Sequence, residues 1–245
     1  MRKILLFSVL LILSCGGKKK IVYENPEEEF EAALLAFEKG KYDEALEGFK
    51  RVLYEFPTGP YTDDAQYYLG ECYLKTKDYE DAAEEFRFLI DNFSTSEYVE
   101  KATLGLAKSY LFKSPDPSRD QSDTKEAISI LRKFLSCYPD SPLRSEAKSL
   151  LLKAKDKLAK KMLLAAQTYK NLGAYEAEKF YLELLIKEYP DTETVWEAKL
   201  MLGEVLLRLG EIDRAMKNLK EIVASADAPN SIKEKAKTLM NLKFY

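Results

Sequence analysis

The stretch GKYDEALEGFKRVLYEFP, from Gly40 to Pro57, returns in altered form as GAYEAEKFYLELLIKEYP, from Gly173 to Pro190. Both run Gly, one residue, Tyr, and then an amphipathic stretch closing on an aromatic residue and proline. KDYEDAAEEFRFLIDNFS (Lys77 to Ser94) keeps the plan but ends on Ser, and GEIDRAMKNLKEIV (Gly210 to Val223) keeps it with Ile212 in the tyrosine place. Further amphipathic stretches precede these copies. Two of them, DDAQYYLGECYLKTK (Asp63 to Lys77) and VWEAKLMLGEVLLRLG (Val195 to Gly210), carry an interior glycine, Gly70 and Gly203. An internal repeat of this kind constrains the chain strongly, because each unit can bury its apolar face only against its neighbours. The apolar positions recur with the helical period, so the units are helix pairs. Gly70 and Gly203 mark places where two helices cross closely.

The pattern resembles the tetratricopeptide repeat, an antiparallel helix pair of about 34 residues. In the first repeat Ala33, Gly40, Tyr42, Ala45, Phe49 and Pro57 fall at signature places. In the second, Leu69, Gly70, Tyr73, Tyr79, Ala82 and Phe86 do. The third is interrupted: Ala107 and Tyr110 end its first helix, and SPDPSRDQSD intervenes before Ala127, Leu131 and Pro139. The fourth has Ala166, Tyr169, Gly173, Tyr175, Leu182 and Pro190, but Glu178 stands where alanine is usual. The fifth has Leu202, Gly203, Gly210, Ala215 and Leu219. The expected fold class is all-α, an α-solenoid of about five tetratricopeptide repeats with a C-terminal capping helix.

Helix ends are punctuated. Asn25-Pro26 reads as an N-cap with proline in the first turn and Glu28 placed for a capping box. Ser141-Pro142 repeats that logic ahead of one helix of roughly eight turns, with KAKDKLAKK on its outer face. Ser231 with Glu234 reads as the cap of the last helix, which covers the open end of the stack.

Composition narrows the function. No histidine occurs, which removes the commonest general base and metal ligand. Carboxylates are plentiful but lie on regularly spaced polar helix faces. No nucleophile–base pairing, phosphate-cradling glycine loop or metal spacing is present. LGLAKS (Leu104 to Ser109) has one glycine inside a helix and is not a phosphate loop. A non-enzyme with no metal and no cofactor is expected. The 38 basic residues against 41 acidic ones argue against nucleic acid. Cys72 and Cys137 read as buried core thiols; a disulfide between them requires an oxidising compartment, and the repeats separate them by more than one helix.

The chain opens MRKILLFSVLLILSCGGKKK. The apolar run is too short to span a bilayer, which takes about 20 residues. Two basic residues in front and small residues behind give the layout of an export signal. ILSC resembles a bacterial lipobox, with Ile12, Leu13, Ser14 and then Cys15. That resemblance implies cleavage before Cys15 and acylation there, with palmitate among the chains. Three acyl chains hold a protein on a membrane without a spanning helix, since each buried CH₂ contributes about 0.8 kcal/mol. An ordinary export signal with an incidental cysteine is the other reading. The absence of aspartate at Gly16 favours the outer membrane. The expected organisation is a signal peptide at 1–14, a lipidated tether at 15–24, N-terminal repeats at 25–140, and C-terminal repeats with the capping helix at 141–245.

Specific joins narrow the resemblance. FPTGPY (Phe56 to Tyr61), DPSRDQSDTKEA (Asp116 to Ala127), YPDSPLRSEAKSLLLKAKDKLAKK and GAYEAEKFYLELLIKEYPDT resemble, in order and spacing, stretches of the BamD family, the lipoprotein subunits of the β-barrel assembly machinery. The chain departs at Met162, where that family usually has a glutamate, and at Tyr181, where some relatives carry a basic residue. The resemblance implies a scaffold on the periplasmic face of the outer membrane. Its C-terminal repeats would hold the POTRA domains of a BamA-like barrel protein, beside other possible Bam lipoproteins. Its N-terminal repeats would receive unfolded outer-membrane proteins and read their C-terminal signal, a strand ending in an aromatic residue.

In the repeat register, Phe30, Leu34 and Phe37 point to the inner face from the first repeat. Tyr67, Glu71 and Leu74 follow from the second, and Lys101 and Lys108 from the third. An aromatic pocket beside two ammonium groups suits a peptide ending in an aromatic side chain and a carboxylate. Packing against the neighbouring helix is the alternative for Phe30, Leu34 and Phe37. At the level of the whole chain, the alternative is another envelope lipoprotein with the same repeats, such as a secretin or pilus pilotin.

Overall fold

The computed structural model describes residues 25–241. The expectations for the signal segment, Cys15 and the tether lie outside the described residues. Eleven α-helices occur among the described residues. Five antiparallel pairs follow one another: α1 (Pro26–Glu38) with α2 (Tyr42–Glu55), α3 (Thr62–Thr76) with α4 (Tyr79–Asn92), α5 (Val99–Lys113) with α6 (Ser122–Cys137), α7 (Arg144–Asn171) with α8 (Tyr175–Glu188), and α9 (Thr194–Arg208) with α10 (Ile212–Ala224). A final helix, α11 (Asn230–Asn241), covers the end of the stack by packing on α9 and α10. This is the all-α solenoid the repeats predict. No helix among the described residues is long and apolar enough to cross a membrane.

Each first helix touches the first helix of the next pair: α1 meets α3, α3 meets α5, α5 meets α7, and α7 meets α9. The backbones of successive second helices lie farther apart, bridged by long side chains such as Arg214 of α10 on Glu183 of α8 at 2.6 Å. The first helices are therefore the crowded layer and the second helices splay apart, which curves the stack with the first helices inside.

Four of the five pairs share one turn. The amide just before the second helix donates to a carbonyl five residues back: Lys41 to Ala36, Asp78 to Tyr73, Ala174 to Tyr169, and Glu211 to Leu206, at 2.9–3.0 Å. This closure needs a left-handed residue immediately before that amide. Gly40, Gly173 and Gly210 supply it, with φ of +72°, +71° and +76°, and in the second repeat Lys77 takes the same conformation at φ 69°.

Small residues at the crossings admit large ones opposite. The buried Phe86 ring lies between Gly70 of α3 and Gly105 of α5, where an added Cβ would come within 2.8 and 2.6 Å of ring carbons. Gly203 stands in the same relation to Leu219, at 2.6 Å. Ala45, Ala82, Ala127 and Ala215 are fully buried at one equivalent place in their second helices. In α8 that place belongs to Glu178, which is 1% exposed.

Several boundary expectations change. The Asn25 side chain accepts from the Glu28 amide at 2.8 Å and caps α1 as expected. The long helix begins at Arg144, not after Ser141. Ser141 instead accepts from the Leu143 amide at 2.9 Å and donates to Glu100 of α5, tying the turn to the preceding repeat. Ser231 lies inside α11, whose first turn bonds back to the Pro229 carbonyl. Cys72 is buried, and burial pushes its thiol pKa up to about 12. Cys137 is exposed, contrary to expectation, because it ends α6 past the buried Phe134. Neither cysteine is in a disulfide.

The inserted loop after α5 is ordered by polar contacts. Gln121 donates its amide to the carbonyls of Asp116 and Asp120 at 2.8 and 3.0 Å. Ser114 and Thr124 share a hydrogen bond at 2.6 Å. From α7, Lys157 and Lys161 donate to the carbonyls of Ser114 and Arg119 at 2.6 and 2.8 Å. The face carrying KAKDKLAKK is therefore not a plain solvated one, since Lys157 and Lys161 hold the insertion on the long helix.

Candidate peptide-binding site

The inner layer of the first three repeats is rich in rings because α3 carries two adjacent tyrosines that face opposite neighbours. Tyr68 turns toward the first repeat. Its ring stacks on Phe49 at 5.5 Å and meets Phe37 and Phe30 edge-on at 5.4 and 6.0 Å. Tyr67 turns toward the third repeat and stacks on Tyr98 at 4.6 Å. Tyr67 and Tyr68 are themselves 5.3 Å apart, edge to face. The result is a continuous run of rings from α1 to the start of α5, with offset and edge contacts that aromatic pairs favour.

Polar groups flank that run. Glu71 lies one turn after Tyr67 on α3, and burial pushes its carboxyl above the usual range while Lys108, Lys75 and the Tyr67 hydroxyl oppose that shift. Burial likewise pushes the Tyr67 hydroxyl above its ordinary value, with Glu71 adding. Burial also raises the Asp64 carboxyl, with the Tyr98 hydroxyl opposing. Lys101 lies over the Tyr98 ring at 5.0 Å. Lys108 pairs with Glu146 of α7 at 2.8 Å.

The residues singled out by register thus divide. Tyr67, Glu71 and Lys108 come together, and Lys101 lies over the neighbouring Tyr98 ring. Leu74 packs with Tyr67 against the second and third repeats. Leu34 and Phe37 are half-buried in the first-repeat core. Phe30 is 7% exposed, held between Tyr61, stacked at 5.1 Å, and Phe49 at 5.7 Å. Its ring supports the wall from behind. Tyr68 and Tyr98 were absent from the sequence expectation, yet they join the two halves of the run. The double tyrosine on α3 was the available signal for Tyr68. Tyr98 precedes its helix, and no periodicity marks it.

The sequence profile of the YfiO family, described as outer membrane lipoprotein, matches residues 23–221. The outer membrane protein assembly factor BamD of Vibrio cholerae is 25% identical over 229 residues, covering 89% of this chain and 95% of that protein. BamD of Haemophilus influenzae is 25% identical over 242 residues, covering 93% and 92%. Among solved structures, a tetratricopeptide repeat protein of Bacteroides fragilis superposes with a TM-score of 0.52 at 16% identity, covering 89% of this chain and 99% of that one, a likeness of fold. With a profile match over most of its length and BamD relatives aligned over about nine-tenths of it, the chain belongs to the YfiO/BamD family of outer membrane lipoproteins.

Proposed function

We propose that this protein is a lipid-anchored scaffold on the periplasmic face of the outer membrane, acting in the assembly of outer-membrane β-barrel proteins. The family membership supports the assembly role. The observation that carries the finer reading is the run of rings from Phe37 through Tyr68 to Tyr67 and Tyr98, beside Lys101, on the inner layer of the N-terminal repeats. Such a surface receives an unfolded chain by apolar contact, and a carboxylate near Lys101 orients it. The C-terminal repeats from about Leu143 onward hold a BamA-like partner through its POTRA domains, and acylated Cys15 supplies the anchor.

The division of labour is tested by co-purification from solubilised membranes. Deleting residues 143–245 eliminates recovery of the barrel partner; retention by the N-terminal half overturns the assignment, and recovery of a secretin instead redirects it to a pilotin. For the groove, a labelled peptide ending in an aromatic residue is followed by fluorescence anisotropy. Truncating Phe37 or Tyr67 to alanine costs roughly 1–2 kcal/mol of binding. Lys101→Glu weakens binding mainly at low salt. Indifference to Phe37→Ala and Tyr67→Ala together places the peptide elsewhere. Palmitate label still entering Cys15→Ser refutes the anchor.

A further inference from the structure

Lys108 and Phe112 are four residues apart on α5, hence neighbours on one helix face. Beyond Lys108, a cavity of about 390 Å³ opens between the start of α4, the end of α5, the inserted loop and the middle of α7. Its apolar side is built from Tyr79 and Phe112, whose rings are 5.8 Å apart and tilted, over the buried Leu111. Phe112 is 41% exposed. Its charged side is Lys153, Lys157 and Lys160 of α7.

The acid lining the cavity, Asp156, is already engaged. One of its oxygens accepts the Thr194 amide and hydroxyl at 3.0 and 2.8 Å, and the other accepts Lys160 at 2.9 Å. Lys153 lies 5.3 Å from the Phe112 ring centroid and makes no ion pair among the described residues. Lys157 donates to the neutral Ser114 carbonyl at 2.6 Å, and Asp116 and Asp123 act on it without an ion pair. Two ammonium groups therefore face an aromatic wall without paired carboxylates, on a chain whose net charge is −3.

We propose that this cavity binds an acidic peptide segment of a partner protein, its side-chain carboxylates on Lys153 and Lys157 and an adjoining aromatic or large apolar side chain on Phe112 and Tyr79. Charge complementarity selects the occupant. Two unpaired ammonium groups exceed what a single chain-terminal carboxylate neutralises, whereas a short acidic run matches them. An aromatic wall beside the charges asks for an apolar neighbour, which an acidic peptide supplies and a free anion does not. This site stands apart from the groove of the first three repeats and does not depend on that reading.

The test is fluorescence anisotropy with the full chain in detergent and a labelled decapeptide, blocked at both ends, with Asp-Phe-Asp-Glu at its centre. Saturable binding that weakens as salt rises is expected. Lys153→Glu lowers affinity about tenfold, the equivalent of 1.4 kcal/mol; Lys153→Arg retains it, and Phe112→Ala lowers it severalfold. Lys153 makes no ion pair or hydrogen bond among the described residues, so its variants keep the wild-type thermal unfolding curve. Phe37→Ala and Tyr67→Ala leave this peptide's affinity unchanged. Equal binding by a peptide with Asn and Gln in place of the acids overturns the proposal. So does indifference to Lys153→Glu. Equal binding by a peptide whose one carboxylate is its C-terminus also overturns it, in favour of a chain-end reader.

Discussion

Glu178 holds the place where four other repeats bury an alanine, and both its carboxylate oxygens lack a hydrogen-bond partner. Lys170 of α7, which acts on Glu178 electrostatically, pairs instead with Glu204 of α9 at 2.7 Å. Burial pushes the Glu178 carboxyl above its ordinary value, Lys170 and Arg208 opposing and Glu204 adding. The unfolded chain ionises near the usual glutamate value of about 4.3, whereas the fold keeps the proton to higher pH. The stability from this group is therefore full below about pH 4.3 and is lost as pH rises through the raised folded value. The informative change is Glu178→Met, which keeps the length and methylenes and removes the two orphaned oxygens. An unsatisfied buried polar group costs about 1–3 kcal/mol, and more when charged, so the variant gains about that much near neutral pH. For a chain of this size each kcal/mol raises the midpoint by about 2–4 °C. Glu178→Ala gains less, because two methylenes at about 0.8 kcal/mol each are lost as well. Thermal unfolding by circular dichroism across a pH series reads both effects: a higher midpoint near neutrality and a flatter pH dependence. A lower midpoint for Glu178→Met at neutral pH, or an unchanged slope with pH, refutes this account.

The remaining predictions concern packing, backbone and thiols. Gly105→Leu drives side-chain atoms into the Phe86 ring and costs at least about 1–3 kcal/mol; Phe86→Leu in the same chain restores part of the loss, and strict additivity of the two in denaturant melts would refute the crossing described here. Lys77→Gly releases a left-handed lysine and leaves stability unchanged or raises it by up to about 1 kcal/mol, whereas glycine inside a helix costs about that much; a clear loss in urea denaturation tells against this turn. In the native protein Cys137 reacts with a thiol reagent and Cys72 does so only on unfolding; equal native rates contradict the burial difference.

What the sequence determined on its own was the architecture. Five helix pairs, the recurring Gly40, Gly173 and Gly210 ahead of the second helices, the crossings at Gly70 and Gly203, and the interruption after Tyr110 were all readable. They are encoded by spacing within a stretch shorter than one repeat, and every copy restates the rule. The wall residues were readable only as positions on a helix face. Register placed Phe30 and Phe37 alike, but Phe30 is enclosed by Phe49 of α2 and Tyr61 at the entry to α3, while Phe37 stays half-buried. The tertiary structure alone decided which charges are spent. Lys108 is paired by Glu146, 38 residues away, Lys157 reaches back 43 residues to the insertion, and Lys170 meets Glu204 rather than Glu178. Sequence showed Glu178 in an alanine's place but not that no cation would reach it. Periodicity fixes which face of a helix is buried, whereas the partner of a buried charge depends on how neighbouring repeats are set side by side, and no local pattern carries that.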